Sequence, residues 1–205
     1  MLQYKSEQFG KKSHTRKGRT MEETNLEASV RTRLLLAGLA EMEKHGEGDF
    51  SLRRVAKSAQ VSCAAPYRHF KDKEELIDGV FTYILEKWEL LCREIDAAYA
   101  QDPARRLIEL SVSYLRFLLS GPNYRSVFLS PTTARRRKEF DAPLRRAAEA
   151  YAKSRGMETE ATSRLTFAVL TTVYGALFLT RAEESELQTT VNAAREQLKS
   201  LILQN

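Results

Sequence analysis

Apolar residues recur at intervals of three and four along most of the chain, a period that predicts helices and no strands. Val30, Leu34, Ala37 and Ala40, widened by Leu35, Leu36 and Leu39, predict a first helix from about Glu27 to His45, with Gly46 at its C-cap. Ser51 is placed to cap a short second helix ending near Gln60, with Leu52, Val55, Ala56 and Ala59 on one face. Ser62 is placed to cap a third that ends near Phe70. Asp72 and Glu75 form a capping-box pattern opening a fourth.

That fourth helix is long: Ile77, Val80, Ile84, Trp88, Leu91 and Ile95 carry it to about Ala98. Asp102-Pro103 starts a fifth, buried through Leu107, Leu110, Tyr114 and Phe117 and stopped by Gly121-Pro122. A short helix follows around Tyr124 to Phe128, then a polar connection, TTARRRKEFDAP, whose four consecutive basic residues read as solvated. Another helix runs from about Pro143 to the stop at Gly156. The last two span about Glu158 to Arg181, apolar nearly all round, and Ser185 to Leu203, with one stripe of Leu187, Val191, Ala194, Leu198 and Leu201. A helix with so little polar face must be covered on several sides, as at a subunit interface. Its uncharged run, Leu165 to Thr180, is 16 residues and holds four threonines, so it reads as a buried helix and not a membrane span.

Composition narrows the class. In 205 residues, 29% charged and 42% hydrophobic are globular proportions that exclude wholesale disorder. Cys63 and Cys92 form no paired motif and His14, His45 and His69 are far apart, so no disulfide framework or metal site is expected. The segment from Met1 to about residue 27 lacks packing periodicity. Residues 1–20 hold six basic side chains against Glu7 and no apolar core, so no secretory signal is expected and the cytoplasm is the expected location. The segment reads as a solvated tail, as a basic arm on DNA, or, if Met21 is the start, as no part of the protein. A net charge of +6 makes nucleic acid a plausible partner.

The informative stretch is residues 51–70, SLRRVAKSAQVSCAAPYRHF: two short helices across a tight turn, the pattern of a helix-turn-helix. Ala56 is small where helices cross, Val61 buries the turn and Phe70 anchors the end. Ser62, Cys63, Ala64 and Ala65 are small enough to approach base edges, while Tyr67, His69 and Lys73 offer polar groups to phosphate oxygens. The run AKSAQVSCAAPYRHFKDKEEL resembles the DNA-binding domain of the TetR family of bacterial transcriptional regulators, over about residues 28–80. Two departures stand out: Gln60 where the family usually has glycine, and Pro66 where it usually has a larger apolar residue.

The resemblance implies an all-α protein of about nine helices. A three-helix DNA-binding domain (28–80) would follow the basic tail (1–27) and lead into a helical effector-binding and dimerisation domain (81–205). It implies a homodimeric regulator, by default a repressor, released from a palindromic double-stranded operator by a small, largely apolar effector, with no cofactor and no membrane. Ser51, Ser62, Tyr67, His69 and Lys73 would then sit on phosphates, and Arg53, Cys63, Ala64 and Ala65 would face bases. Only Arg53 can pair bidentately with guanine. Trp88, Tyr114, Phe117, Phe128, Tyr174 and Phe178 are the candidate pocket residues, or else ordinary core. The rival readings are a nonspecific architectural DNA-binding protein and a helical-bundle enzyme. No P-loop, GxGxxG, HExxH or nucleophile pattern supports an enzyme, so no catalytic residue is assigned.

Overall fold

The computed structural model describes residues 21–120, 124–180 and 184–203, and among these every regular element is helical. Residues 1–20 of the expected tail (1–27) and the Gly121-Pro122 stop lie outside the described residues, while residues 21–27 of that tail belong to the first helix, which starts ahead of the expected Glu27. The order is α1 (Met21–His45), α2 (Leu52–Ser58), α3 (Pro66–His69), α4 (Lys73–Ala98), α5 (Pro103–Ser120), α6 (Tyr124–Leu129), a 3-10 turn (Ala134–Arg136), α7 (Arg137–Ser154), α8 (Thr159–Leu179) and α9 (Glu184–Leu203).

α1 packs on α2, α3, α4 and α6, while α5 packs on α4, α6, α7, α8 and α9 and forms the centre of the larger half. α4 belongs to both halves. Asp72 caps it by accepting from the Glu75 N–H at 2.9 Å, and its apolar stripe from Leu76 to Ile95 is buried without a break. One hydrophobic core therefore runs from Leu34 in α1 to Ile202 in α9.

The α1–α4 crossing is close because each helix brings a glycine to it. A Cβ on Gly38 would lie 3.0 Å from Leu76 Cδ2, and one on Gly79 would lie 3.0 Å from Phe70 Cε1 and 3.1 Å from Leu35 Cδ2.

Three expectations need correction. α7 begins at Arg137, ahead of Pro143, which sits inside the helix. Burial of Phe140, Asp141 and Leu144 on one helical face outweighs the single hydrogen bond that proline forfeits. Within the basic run, Arg135 and Lys138 are exposed as expected, but Arg136 and Arg137 are structural. Arg136 bonds Asp78 Oδ1 at 2.6 Å, Thr82 and Glu139, with its guanidinium 4.5 Å above the Phe81 ring; Arg137 donates to the Phe128 carbonyl at 2.7 Å. Finally, α8 is long and apolar enough to cross a membrane by length and composition. In the fold it packs on α5, α7 and α9 through Leu165, Val169, Leu170, Val173 and Leu177, while Phe167, Phe178 and Leu179 stay exposed.

Candidate nucleic-acid interface

The short helices of the motif are held by caps and by one buried carboxylate. Ser51 is in extended conformation and its hydroxyl accepts from the Arg54 N–H at 3.4 Å. Glu41 of α1 is buried and accepts from the Ser51 N–H at 3.1 Å and from Arg54 Nε at 2.7 Å. Hydrogen bonding to Glu41, helped by nearby Asp49, holds the Arg54 guanidinium even more firmly charged than usual. Arg54 is thus a fastener between α1 and α2, whereas its neighbour Arg53 is exposed.

α2 ends in a Schellman motif. The Val61 N–H donates to the Ala56 carbonyl at 3.0 Å and the Gln60 N–H to the Lys57 carbonyl at 3.1 Å, with Gln60 left-handed at φ 56°. A left-handed residue here is what the geometry requires, which explains the glycine usual in the family; glutamine adopts it at a cost of about 1 kcal/mol. Val61, partly buried, packs against the core, and the buried Val55, Ala56 and Ala59 close the inner face of α2.

The third helix differs from expectation. Ser62 does not cap an α-helix; it opens a turn closed by the Ala65 N–H donating to the Ser62 carbonyl at 2.9 Å. Regular helix starts at Pro66, in the N-terminal position where a missing N–H costs nothing, and lasts four residues. So short a helix has little macrodipole to offer a phosphate. Phe70 ends the segment, buried, with the Arg31 guanidinium 5.1 Å from its ring centroid.

Of the residues expected to meet DNA, Arg53, Ser62, Cys63, Ala64 and Tyr67 are exposed, Tyr67 at 63%, while Ser51, His69 and Lys73 are half-buried. Ala65 is the correction: at 8% exposure it packs inward with Pro66 and presents nothing to a base. Lys73 donates to the Glu47 carbonyl at 2.9 Å, so its ammonium is partly committed within the domain. Arg68 was missed. It is exposed between Tyr67 and His69, and the signal that would have found it is the charge of the segment. Residues 51–73 hold Arg53, Arg54, Lys57, Arg68, Lys71 and Lys73 against Asp72 alone.

In the larger half the structure brings five of the six candidate pocket residues together. Trp88 and Tyr114 stack at 4.9 Å, Trp88 and Phe117 lie 5.6 Å apart, and Phe128 meets Tyr114 at 6.1 Å and Tyr174 at 5.8 Å. Phe178 is not among them: it lies one turn beyond Tyr174, near the C-terminal end of α8, and is 62% exposed. Two members were missed. Phe140 packs on Phe81, Tyr114 and Phe128, and its carbonyl accepts from Trp88 Nε1 at 3.0 Å. Asp141, buried, accepts from the Tyr174 hydroxyl and, at 3.4 Å, from Tyr114, with Arg145 3.7 Å away. Burial pushes the Asp141 carboxyl above its usual range against the opposing pull of Tyr174 and Arg145, and burial likewise pushes both tyrosines up. The period of Phe140, Leu144, Ala147, Ala148 and Tyr151 places Asp141 in a core slot, whereas the sequence reading puts Phe140 and Asp141 in a polar connection ahead of the helix.

Residues 34–80 match the family model described as bacterial regulatory proteins, tetR family. The chain is 25% identical over 98 residues to the probable acrEF/envCD operon repressor of Escherichia coli K12, a match covering 48% of this chain and 44% of that protein, so it spans less than half the length of that curated relative. Among solved structures it superposes on a transcriptional regulator from Rhodococcus sp. Rha1 with TM-score 0.65 and 25% identity, over 85% of this chain and 96% of that one. FadR from Bacillus subtilis, in complex with stearoyl-CoA, shares the fold with TM-score 0.65 at 13% identity, over 83% of this chain and 97% of that one.

Proposed function

We propose that this chain, which carries the DNA-binding domain of the tetR family of bacterial regulatory proteins, is a homodimeric repressor that a small molecule releases from a palindromic operator. The observation that carries the reading is the outward face of residues 51–73: its apolar side is locked onto α1 and α4, leaving Arg53, Lys57, Arg68 and Lys71 exposed, with Asp72, the cap of α4, as the one acidic residue of the segment. Arg53 reads a guanine edge, Cys63 and Ala64 approach bases, and Ser51, Ser62, Tyr67, Arg68, His69 and Lys73 position the domain on phosphates. The protein acts in the cytoplasm and performs no chemistry of its own.

The dimer forms through α8 and α9, whose exposed Phe167, Phe178, Leu179 and Leu203 need a cover. Pairing there sets two heads at the spacing of successive major grooves, about 34 to 36 Å. The effector enters the cluster around Trp88, Phe117, Phe128 and Tyr174. Its body is apolar, and a polar group on it replaces one partner of the Tyr174–Asp141–Tyr114 set. A ligand that favours splayed heads weakens operator binding by its differential affinity, about 1 to 3 kcal/mol.

Footprinting on a duplex selected from a random library by the protein itself tests this. A discrete palindromic footprint, lost in Tyr67→Ala and Arg53→Ala, is expected. Binding that shows no sequence preference and vanishes steeply with salt would instead establish the architectural reading.

A further inference from the structure

Glu47 lies in the turn between α1 and α2, and its backbone and side chain serve different parts of the molecule. Its carbonyl accepts from the Lys73 ammonium at 2.9 Å, tying the turn to the start of α4. Its carboxylate leaves the DNA-reading half: Oε2 accepts from the Ser130 hydroxyl and from the Thr132 N–H at 3.1 Å, both in the connection between α6 and α7.

That connection is stiff. Thr133 is buried and its hydroxyl donates to the Val127 carbonyl at 2.5 Å and the Ser130 carbonyl at 3.1 Å. Arg137 clamps it from α7, donating to the Phe128 carbonyl at 2.7 Å and the Ser130 carbonyl at 3.3 Å with its guanidinium 5.6 Å from the Phe128 ring centroid. Phe128 is itself in the aromatic cluster, stacked on Tyr174. From that ring to the Glu47 carboxylate, each link is a buried or hydrogen-bonded group. Arg136 also ties the connection down, but to Asp78 and Thr82 of α4, which both halves share; Glu47 ties it to the head alone.

We propose that Glu47 is the positioning residue that couples the aromatic cluster to the DNA-reading head: displacement of Phe128 shifts Ser130 and Thr132, and the Glu47 carboxylate carries that shift to the turn between α1 and α2. The inference rests on reading the chain as an effector-responsive regulator and adds the route of its regulation.

Native cysteines permit a direct test. Cys63 is exposed in the motif, whereas Cys92 is buried in α4 with its thiol pushed up to about 12, chiefly by burial, so a thiol-reactive label takes Cys63. Spin labels there report the distance between the two heads of a dimer. A fluorophore on the same thiol reports the wobble of each head by its anisotropy decay, with or without a dimer. Glu47→Ala should widen the inter-label distribution roughly twofold and enlarge the fast anisotropy loss, while thermal unfolding stays within a few degrees of wild type. Glu47→Gln, which keeps an acceptor oxygen, should restore both. On the duplex selected by wild type, Glu47→Ala should lose at least roughly fivefold in affinity. Wild-type widths and anisotropy in Glu47→Ala overturn the proposal. A wild-type sample with no inter-label distance refutes the dimer instead, and the anisotropy then decides on Glu47.

Discussion

Gly79→Ala sets two opposed terms against each other at the base of the DNA-reading segment. Alanine inside a helix is favoured over glycine by about 1 kcal/mol. Against this, the new Cβ would sit 3.0 Å from Phe70 Cε1 and 3.1 Å from Leu35 Cδ2, and both neighbours are core residues, only 2% and 3% exposed, with no solvent to swing into. Overpacking of this kind costs about 1 to 3 kcal/mol, so the net is a loss of about 0 to 2 kcal/mol, or up to roughly 8 °C in melting temperature for a chain of this size. Gly38→Ala is the internal comparison. Its Cβ would meet Leu76 Cδ2 at 3.0 Å and Val80 Cγ2 at 3.1 Å at the same crossing, without touching Phe70. Both variants should therefore melt earlier, but only Gly79→Ala pushes the ring that ends the α3 segment, and only it should lose operator affinity beyond its stability loss, about tenfold. Calorimetry and a gel shift at a temperature where both variants are folded check this. A raised melting temperature for Gly79→Ala, or equal affinity losses in the two, refutes the packing account.

Gln60→Gly should raise the melting temperature by a few degrees, since relief of the left-handed strain of about 1 kcal/mol is only partly offset by the backbone freedom glycine regains on unfolding; a lower melting temperature contradicts the Schellman assignment. Arg68→Ala should reduce the slope of log affinity against log salt by about 1 while leaving sequence preference intact, as read from a salt titration on the selected duplex. Glu109 bonds Arg195 across α5 and α9, and that contact holds its carboxyl below the ordinary value of 4.5. Its folded value is lower than its unfolded one, so its contribution is full above pH 4.5 and is lost as pH falls through the folded value. Glu109→Gln should therefore destabilise at neutral pH by about 1 kcal/mol and flatten the acid limb of urea-midpoint against pH. A variant that keeps the wild-type acid limb removes Glu109 from that role. Phe167→Glu should convert a dimer into a monomer in sedimentation, and a dimer that persists places the subunit contact elsewhere.

Where local patterning determines structure, the sequence was sufficient. Helix type, the caps at Ser51 and Asp72 and the stop at Gly46 all rest on contacts within a few residues along the chain, and spacing reads such contacts directly. The Gln60 departure was visible too, though its meaning needed the observed φ. What tertiary structure alone decided depends on neighbours distant in sequence. Arg136 and Arg137 look like solvated charge until α4 and α6 supply Asp78 and the Phe128 carbonyl. Ala65 is a small residue on either face until Pro66 starts the helix and turns it inward. Phe178 and Tyr174 lie on one apolar helix, and only the packing of α8 on α5 and α7 sends one ring to solvent and the other to Asp141. Periodicity fixes which residues share a face; which faces meet is set by burial and pairing across the whole chain, and that is where Glu47 and Ser130, 83 residues apart, find each other.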